Sequence, residues 1–148
     1  MADNLPAKLW HNVRMSHAAT IPLSPPPFSY DWREIEHGLP LKTLEEFSAY
    51  SGIAVKDLLE VVIPARTLKH RRQRNEPLNA EESDRLARVA KMFELAAKVY
   101  GNREDGKEFL TRRMPRFDEK RPLEVLRTGK GEEAVQEFLV QIDEGMYI

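Results

Sequence analysis

The stretch Leu78–Gly101, LNAEESDRLARVAKMFELAAKVYG, decides the fold. Asn79 carries the side chain of an N-cap, and Glu82 stands three residues on, at the spacing of a capping box. Leu86, Val89, Phe93, Ala96 and Tyr100 then recur at intervals of three and four, which puts them on one face of an α-helix. Gly101 closes the run. The stripe reads either as an ordinary core face or as the seam of a homodimer. Leu86, Val89, Phe93 and Tyr100 are the candidate dimerisation residues.

Working outward, helices are expected on both sides. Upstream, LKTLEEFSAYSG offers Leu41, Leu44 and Phe47 at helical spacing and stops at Gly52, and VKDLLEVV sets Val55, Leu58, Leu59 and Val62 on one side. Pro64 then opens a third helix, where its missing N–H costs nothing. Downstream, REDGKEFLTRRM is a modest helix ending near Pro115, and Pro122 starts a short one in RPLEVLRT. EEAVQEFLVQIDEGMYI aligns Val135, Phe138, Leu139, Ile142 and Met146, with Gly145 breaking the helix before the end. Nothing alternates as a strand does, so the predicted fold class is all-α.

Residues 1–40 read as a Pro-rich N-terminal arm, with six of the ten prolines. Proline fixes φ and removes a donor, so the arm is not helical throughout. Its aromatics, Trp10, Phe28, Tyr30 and Trp32, are too many for a flexible linker and are expected to lie against the body or a partner.

Composition excludes several function classes. Without cysteine there is neither a disulfide framework nor a thiolate metal site. His11, His17, His37 and His70 are too scattered for a zinc site on one helix. No apolar run is long enough to span a membrane and no signal peptide is evident, so a cytoplasmic location is expected. Asp31, Glu34 and Glu36 cluster, but no serine or histidine arrangement supports acid–base or nucleophilic chemistry. A glycine-rich phosphate loop is also lacking. The chain is therefore not expected to be an enzyme, and no cofactor, metal or small-molecule substrate is expected.

Charge is distributed unevenly. Lys and Arg number 23 against 24 Asp and Glu, yet Arg66, Lys69, Arg71, Arg72 and Arg74 crowd into IPARTLKHRRQRN without one acid. Removing those five leaves 18 cations against 24 acids, a formal charge of −6. A basic patch on an acidic body suits a compact polyanion-contacting surface. In a helix-turn-helix reading of Val55–Asn75, Leu58, Val62, Ile63 and Leu68 lock the helix pair. Ala65, Arg66, Thr67, Lys69 and His70 then face base edges, while Arg71, Arg72 and Arg74 neutralise phosphates. A rival register turning at Gly52 would offer DNA Ala54, Val55 and Glu60, which is poor chemistry for a polyanion. The favoured register puts Val62 where many such motifs have glycine. The bland alternative is that the basic run is a solvated helix face.

Three segments in order, RTLKHRR (Arg66–Arg72), Leu78–Gly101 and RPLEVLRTGKGEEAVQEFLVQIDEGMY (Arg121–Tyr147), resemble the Xre/MbcA/ParS family of bacterial antitoxins. The most specific pieces are ESDRL (Glu82–Leu86), PLEVLRT (Pro122–Thr128) and IDEGMY (Ile142–Tyr147). The resemblance implies an Xre-like helix-turn-helix region over residues 41–101 and a C-terminal toxin-binding domain over 102–148. It further implies a cognate RES-domain toxin that consumes NAD or transfers ADP-ribose, and repression of the shared operon through operator DNA.

The chain's end suits such a partner. Glu144, Gly145, Met146, Tyr147 and Ile148 are the candidate toxin-binding residues. Tyr147 would fill a ring site, and the terminal carboxylate of Ile148 would meet a phosphate-binding arginine. Residue chemistry alone leaves open a tail that packs or frays. The other functional readings are a stand-alone transcriptional regulator and an interaction adaptor that touches no DNA.

Overall fold

A computed structural model describes residues 26–146. Eight α-helices make up the described residues: α1 (Trp32–His37), α2 (Lys42–Ser51), α3 (Val55–Val61), α4 (Ala65–Arg74), α5 (Ala80–Tyr100), α6 (Arg103–Thr111), α7 (Pro122–Val125) and α8 (Gly129–Asp143). A 3₁₀ turn, Pro115–Phe117, precedes α7, and the only extended pairing among the described residues is a lone bridge between Met114 and Lys120.

The long helix forms where the sequence places it. Asn79 accepts from the Glu82 N–H and donates its own N–H to the Glu82 carboxylate, both at 2.8 Å. Leu86, Val89, Phe93 and Ala96 are wholly buried on one face of α5. Helices α1, α2, α6 and α8 pack against α5, so it is the axis of one continuous core among the described residues. It runs from Phe47 and Leu58 through Phe93 to Phe109, Leu123 and Leu139. Fully burying side chains of this size contributes roughly 1.5–3 kcal/mol each.

Two close approaches fix how the later helices sit. A Cβ on Gly106 of α6 would come within 2.8 Å of the Ala97 nitrogen, so α6 lies directly on the α5 backbone. At Gly131 a Cβ would stand 1.7 Å from the Val125 carbonyl oxygen, which lets α8 start hard against α7. Thr128 caps α8 by accepting from the Gly131 N–H at 3.0 Å.

Several boundaries differ from expectation. Pro64 occupies the N-cap of α4 with extended ψ, one position before the helix begins. The last helix starts at Gly129, because Thr128 caps a turn whose glycines mask it in the sequence. The described end of the arm is folded onto the body through Phe28 and Tyr30, whereas Trp32, also expected to pack, is 64% exposed and Trp10 lies outside the described residues. Phe28 packs at 5.3 Å from the rings of both Phe47 and Tyr50. The Leu39 N–H donates to Ser83 Oγ on α5 at 2.9 Å. Burial, then the carboxylates of Glu34 and Glu46, push the Tyr30 phenol up to about 12.

Candidate functional site

The helix pair α3–α4 is locked as the sequence requires. Leu58, Val62, Ile63 and Leu68 are all buried. Val62 has φ −90 and ψ −51, a right-handed helical conformation open to any residue, so the turn does not need glycine. From α5, Arg85 Nε donates to the Val62 carbonyl at 3.1 Å and braces the turn from below.

With Leu68 facing inward, Arg66, Lys69, His70 and Gln73 project from the opposite side of α4 and are exposed, as are Ala65 and Arg74. Thr67 is half-buried. Arg66, Lys69 and Arg74 make no ion pair with any described residue. No acid lies in the first turn of α4. The result is a cationic and polar stripe with open donors. Such a stripe can approach the edges of base pairs, and a flanking arginine can meet phosphate. Gln73 was not among the expected site residues. Helical spacing places it one turn beyond Lys69 and His70, but being neutral it carries no charge signal in the sequence.

Two of the expected phosphate-binding residues are differently placed. Arg71 turns inward, 18% exposed, pairs with Glu82 at 2.9 Å and donates to the Pro77 carbonyl. Glu82 is the capping residue of α5, so Arg71 ties α4 to that helix and is withdrawn from the outer stripe. Arg72 pairs with Glu45 of α2 at 3.2 Å, with both side chains largely exposed, a contact that solvent screens.

The candidate dimer seam is corrected. Leu86, Val89 and Phe93 are each 1% exposed or less, inside the chain's own core. Tyr100 is partly buried with its ring 5.8 Å from Phe109. A heptad-like stripe marks burial without saying whose side chains cover it, and here α1, α2, α6 and α8 do.

At the far end of the chain, α8 stops at Asp143. Gly145 has φ +77, a left-handed conformation that favours glycine, and the Met146 N–H closes back on the Gln141 carbonyl at 2.9 Å. Glu144, Gly145 and Met146 are exposed, Met146 to 64%. Val135 and Leu139 are buried and Phe138 and Ile142 partly so, which anchors α8 in the core beneath them. Tyr147 and Ile148 lie outside the described residues.

Arg121, just before α7, joins α7 to α3. Its guanidinium donates to Asp57 at 3.0 Å, Glu60 at 2.6 Å and Glu124 at 2.7 Å. Burial alone would lower its pKa, but the hydrogen bonds it donates to Glu124 and Asp57 carry it above the ordinary arginine value. Arg121 in turn holds the Glu124 carboxyl below the usual carboxylate range. Arg127 donates to the Glu60 carbonyl, and Arg88 of α5 to the carbonyls of Leu126 and Arg127. No cluster of histidine and carboxylate suited to a metal ion, and no helix able to cross a membrane, occurs among the described residues.

Comparison with known proteins finds two family matches in this chain. Residues 33–91 match the antitoxin Xre-like helix-turn-helix domain, and residues 95–145 match the antitoxin Xre/MbcA/ParS C-terminal toxin-binding domain. A Pseudomonas putida protein named antitoxin Xre is 42% identical over 84 residues, 57% of this chain and 53% of that protein. The chain thus matches about half the length of that relative.

Proposed function

The chain belongs to the Xre/MbcA/ParS antitoxin family, and from that premise we propose that it is the antitoxin of a type II toxin–antitoxin pair. Its partner in this reading is a RES-domain toxin that degrades NAD or transfers ADP-ribose from it. The C-terminal unit binds the toxin, and the tail beyond Gly145 occludes the NAD site. The α4 stripe binds operator DNA and represses the shared operon. What supports the reading is the succession of two units on one core: open cations on α4, then a final helix that ends in exposed residues at a left-handed glycine.

Arg66, Lys69 and His70, with Gln73, are the proposed base-reading residues, and Arg74 with Arg72 the phosphate contacts. Two copies per operator belong to this reading, because a single helix-turn-helix buries little surface on DNA. Their contact must come from a surface other than Leu86, Val89 and Phe93.

The test is NAD loss by the purified toxin with and without this chain, alongside a gel shift on the DNA upstream of the two genes. Inhibition in a stable complex together with a specific shift is the expected result. A specific shift without any effect on the toxin would leave a stand-alone regulator in its place.

A further inference from the structure

A second group of cations lies in the loop 112–120, between α6 and α7. Arg112, Arg113, Arg116 and Lys120 are all exposed. The loop is held in one shape. Phe117 is buried beneath it, and Met114 and Lys120 pair across its base. Arg113 donates to the Glu119 carbonyl at 3.2 Å. The Arg116 guanidinium lies 4.4 Å from the Phe138 ring centre and donates to Gln141 Oε1 at 3.0 Å. Asp118 and Glu119 are consecutive non-glycine residues with φ +57 and +64. Side chains rarely adopt that conformation, and where it persists the surroundings enforce it, often at a surface that works by being rigid.

Position gives the loop its meaning. Gln141, which holds Arg116 through its side chain, accepts the Met146 N–H through its carbonyl. The loop and the last described residues therefore sit side by side at the C-terminal end of α8. The opposite end of α8 adjoins Arg127, which donates to the Glu60 carbonyl in the last turn of α3. Fifteen helical residues separate the two ends by roughly 22 Å. The loop is thus a separate basic surface from the α4 stripe.

We propose that the loop 112–120 docks a carboxylate-rich surface of the toxin whose site the tail enters; this rests on the antitoxin reading above. Arginine presents a planar fork that matches carboxylates, and side chains already fixed lose less freedom on pairing. Complementary charge chiefly speeds encounter and fixes orientation. The loop therefore supplies recognition, and the tail supplies the block. Asp118 and Glu119, interleaved among the cations, would repel a phosphate backbone but suit the mixed charge of a protein surface.

The test compares the intact chain with the double variant Arg112→Glu/Lys120→Glu, which replaces side chains that make no hydrogen bond or ion pair among the described residues. Association with the purified toxin is measured at about 50 mM and about 300 mM salt, and operator affinity and thermal unfolding are measured in parallel. The variant should associate roughly tenfold more slowly at low salt, with a flatter salt dependence. Its melting and operator affinity should be unchanged. Arg112→Gln/Lys120→Gln should fall between. Unchanged association in both variants overturns the proposal, as does a loss of operator affinity with toxin binding intact, which would make the loop a nucleic-acid contact. If the intact chain itself fails to bind the toxin, the antitoxin reading falls first and the docking loop with it.

Discussion

The guanidinium of Arg121 meets the carboxylate of Asp57 at 3.0 Å across 64 residues of sequence. This contact joins the segment that matches a toxin-binding domain to the first helix of the helix-turn-helix pair. Arg121 is 13% exposed, while Asp57 and Glu124 are 21% and 23% exposed. Arg121→Ala leaves those carboxylates half-covered and unpaired. The expected loss is about 2 kcal/mol, between the values for surface and buried pairs. Urea unfolding reads it. Arg121→Lys should recover only part, since one ammonium cannot reproduce the fork.

Glu124 gives the same contact a pH dependence. Its folded pKa is depressed, chiefly by the hydrogen bond from Arg121, so its stabilising effect is full above the ordinary carboxylate value of 4.5. It is lost as pH falls through the lower folded value. Unfolding midpoints should therefore decline below about pH 4.5 in the native chain and decline less steeply in Glu124→Gln. Parallel pH profiles would remove Glu124 from the account.

Within α4, neighbouring arginines should behave oppositely. Arg66→Ala or Lys69→Ala should weaken specific operator binding by roughly 1–3 kcal/mol with little change in stability. Arg74→Ala should lower affinity on every sequence and flatten its salt dependence. Arg71→Ala should instead lower the melting temperature, because it strips Glu82 of its partner. Gel shifts and thermal melts on the four variants separate these outcomes.

Recognition and blockade should also separate at the chain's end. Removing residues from Met146 onward leaves the anchored part of α8 intact, so the complex with the toxin should still form while inhibition is lost. NAD consumption beside a pull-down measures both. A truncated chain that inhibits as well as the intact one would make the tail a bystander.

Gly131→Ala tests the junction of α7 and α8. Its Cβ would lie 1.7 Å from the Val125 carbonyl oxygen, so the junction must open. A loss of roughly 2–4 kcal/mol is expected. Gly129→Ala, with nothing within 4 Å, is the control.

The sequence made the helices legible because their signals are local. Asn79 with Glu82 and the stripe behind them set α5 without any knowledge of the rest of the fold. Gly145 likewise marked the end of α8, as its positive φ bears out. What covers a stripe is not local. Leu86, Val89 and Phe93 read equally as seam and core, and only the tertiary arrangement of α1, α2, α6 and α8 distinguishes them. Arg71 and Arg66 are indistinguishable in composition. Their difference depends on Glu82, eleven residues from Arg71 and reached only once α4 and α5 pack. Apart from the local pair with Glu124, the Arg121 junction has no sequence signature, since Asp57 and Glu60 are 64 and 61 residues away.

That α5 forms the spine of both units has a consequence for how the chain is lost. Its face carries Phe47 and Leu58 from one side and Phe109 and Leu139 from the other, so neither half keeps a core when the helix is cut or unwound. Proteolysis anywhere along it would not shed one domain and spare its neighbour. The proposed holds on DNA and on the toxin would disappear in a single cooperative event, which makes the lifetime of this helix the clock for both.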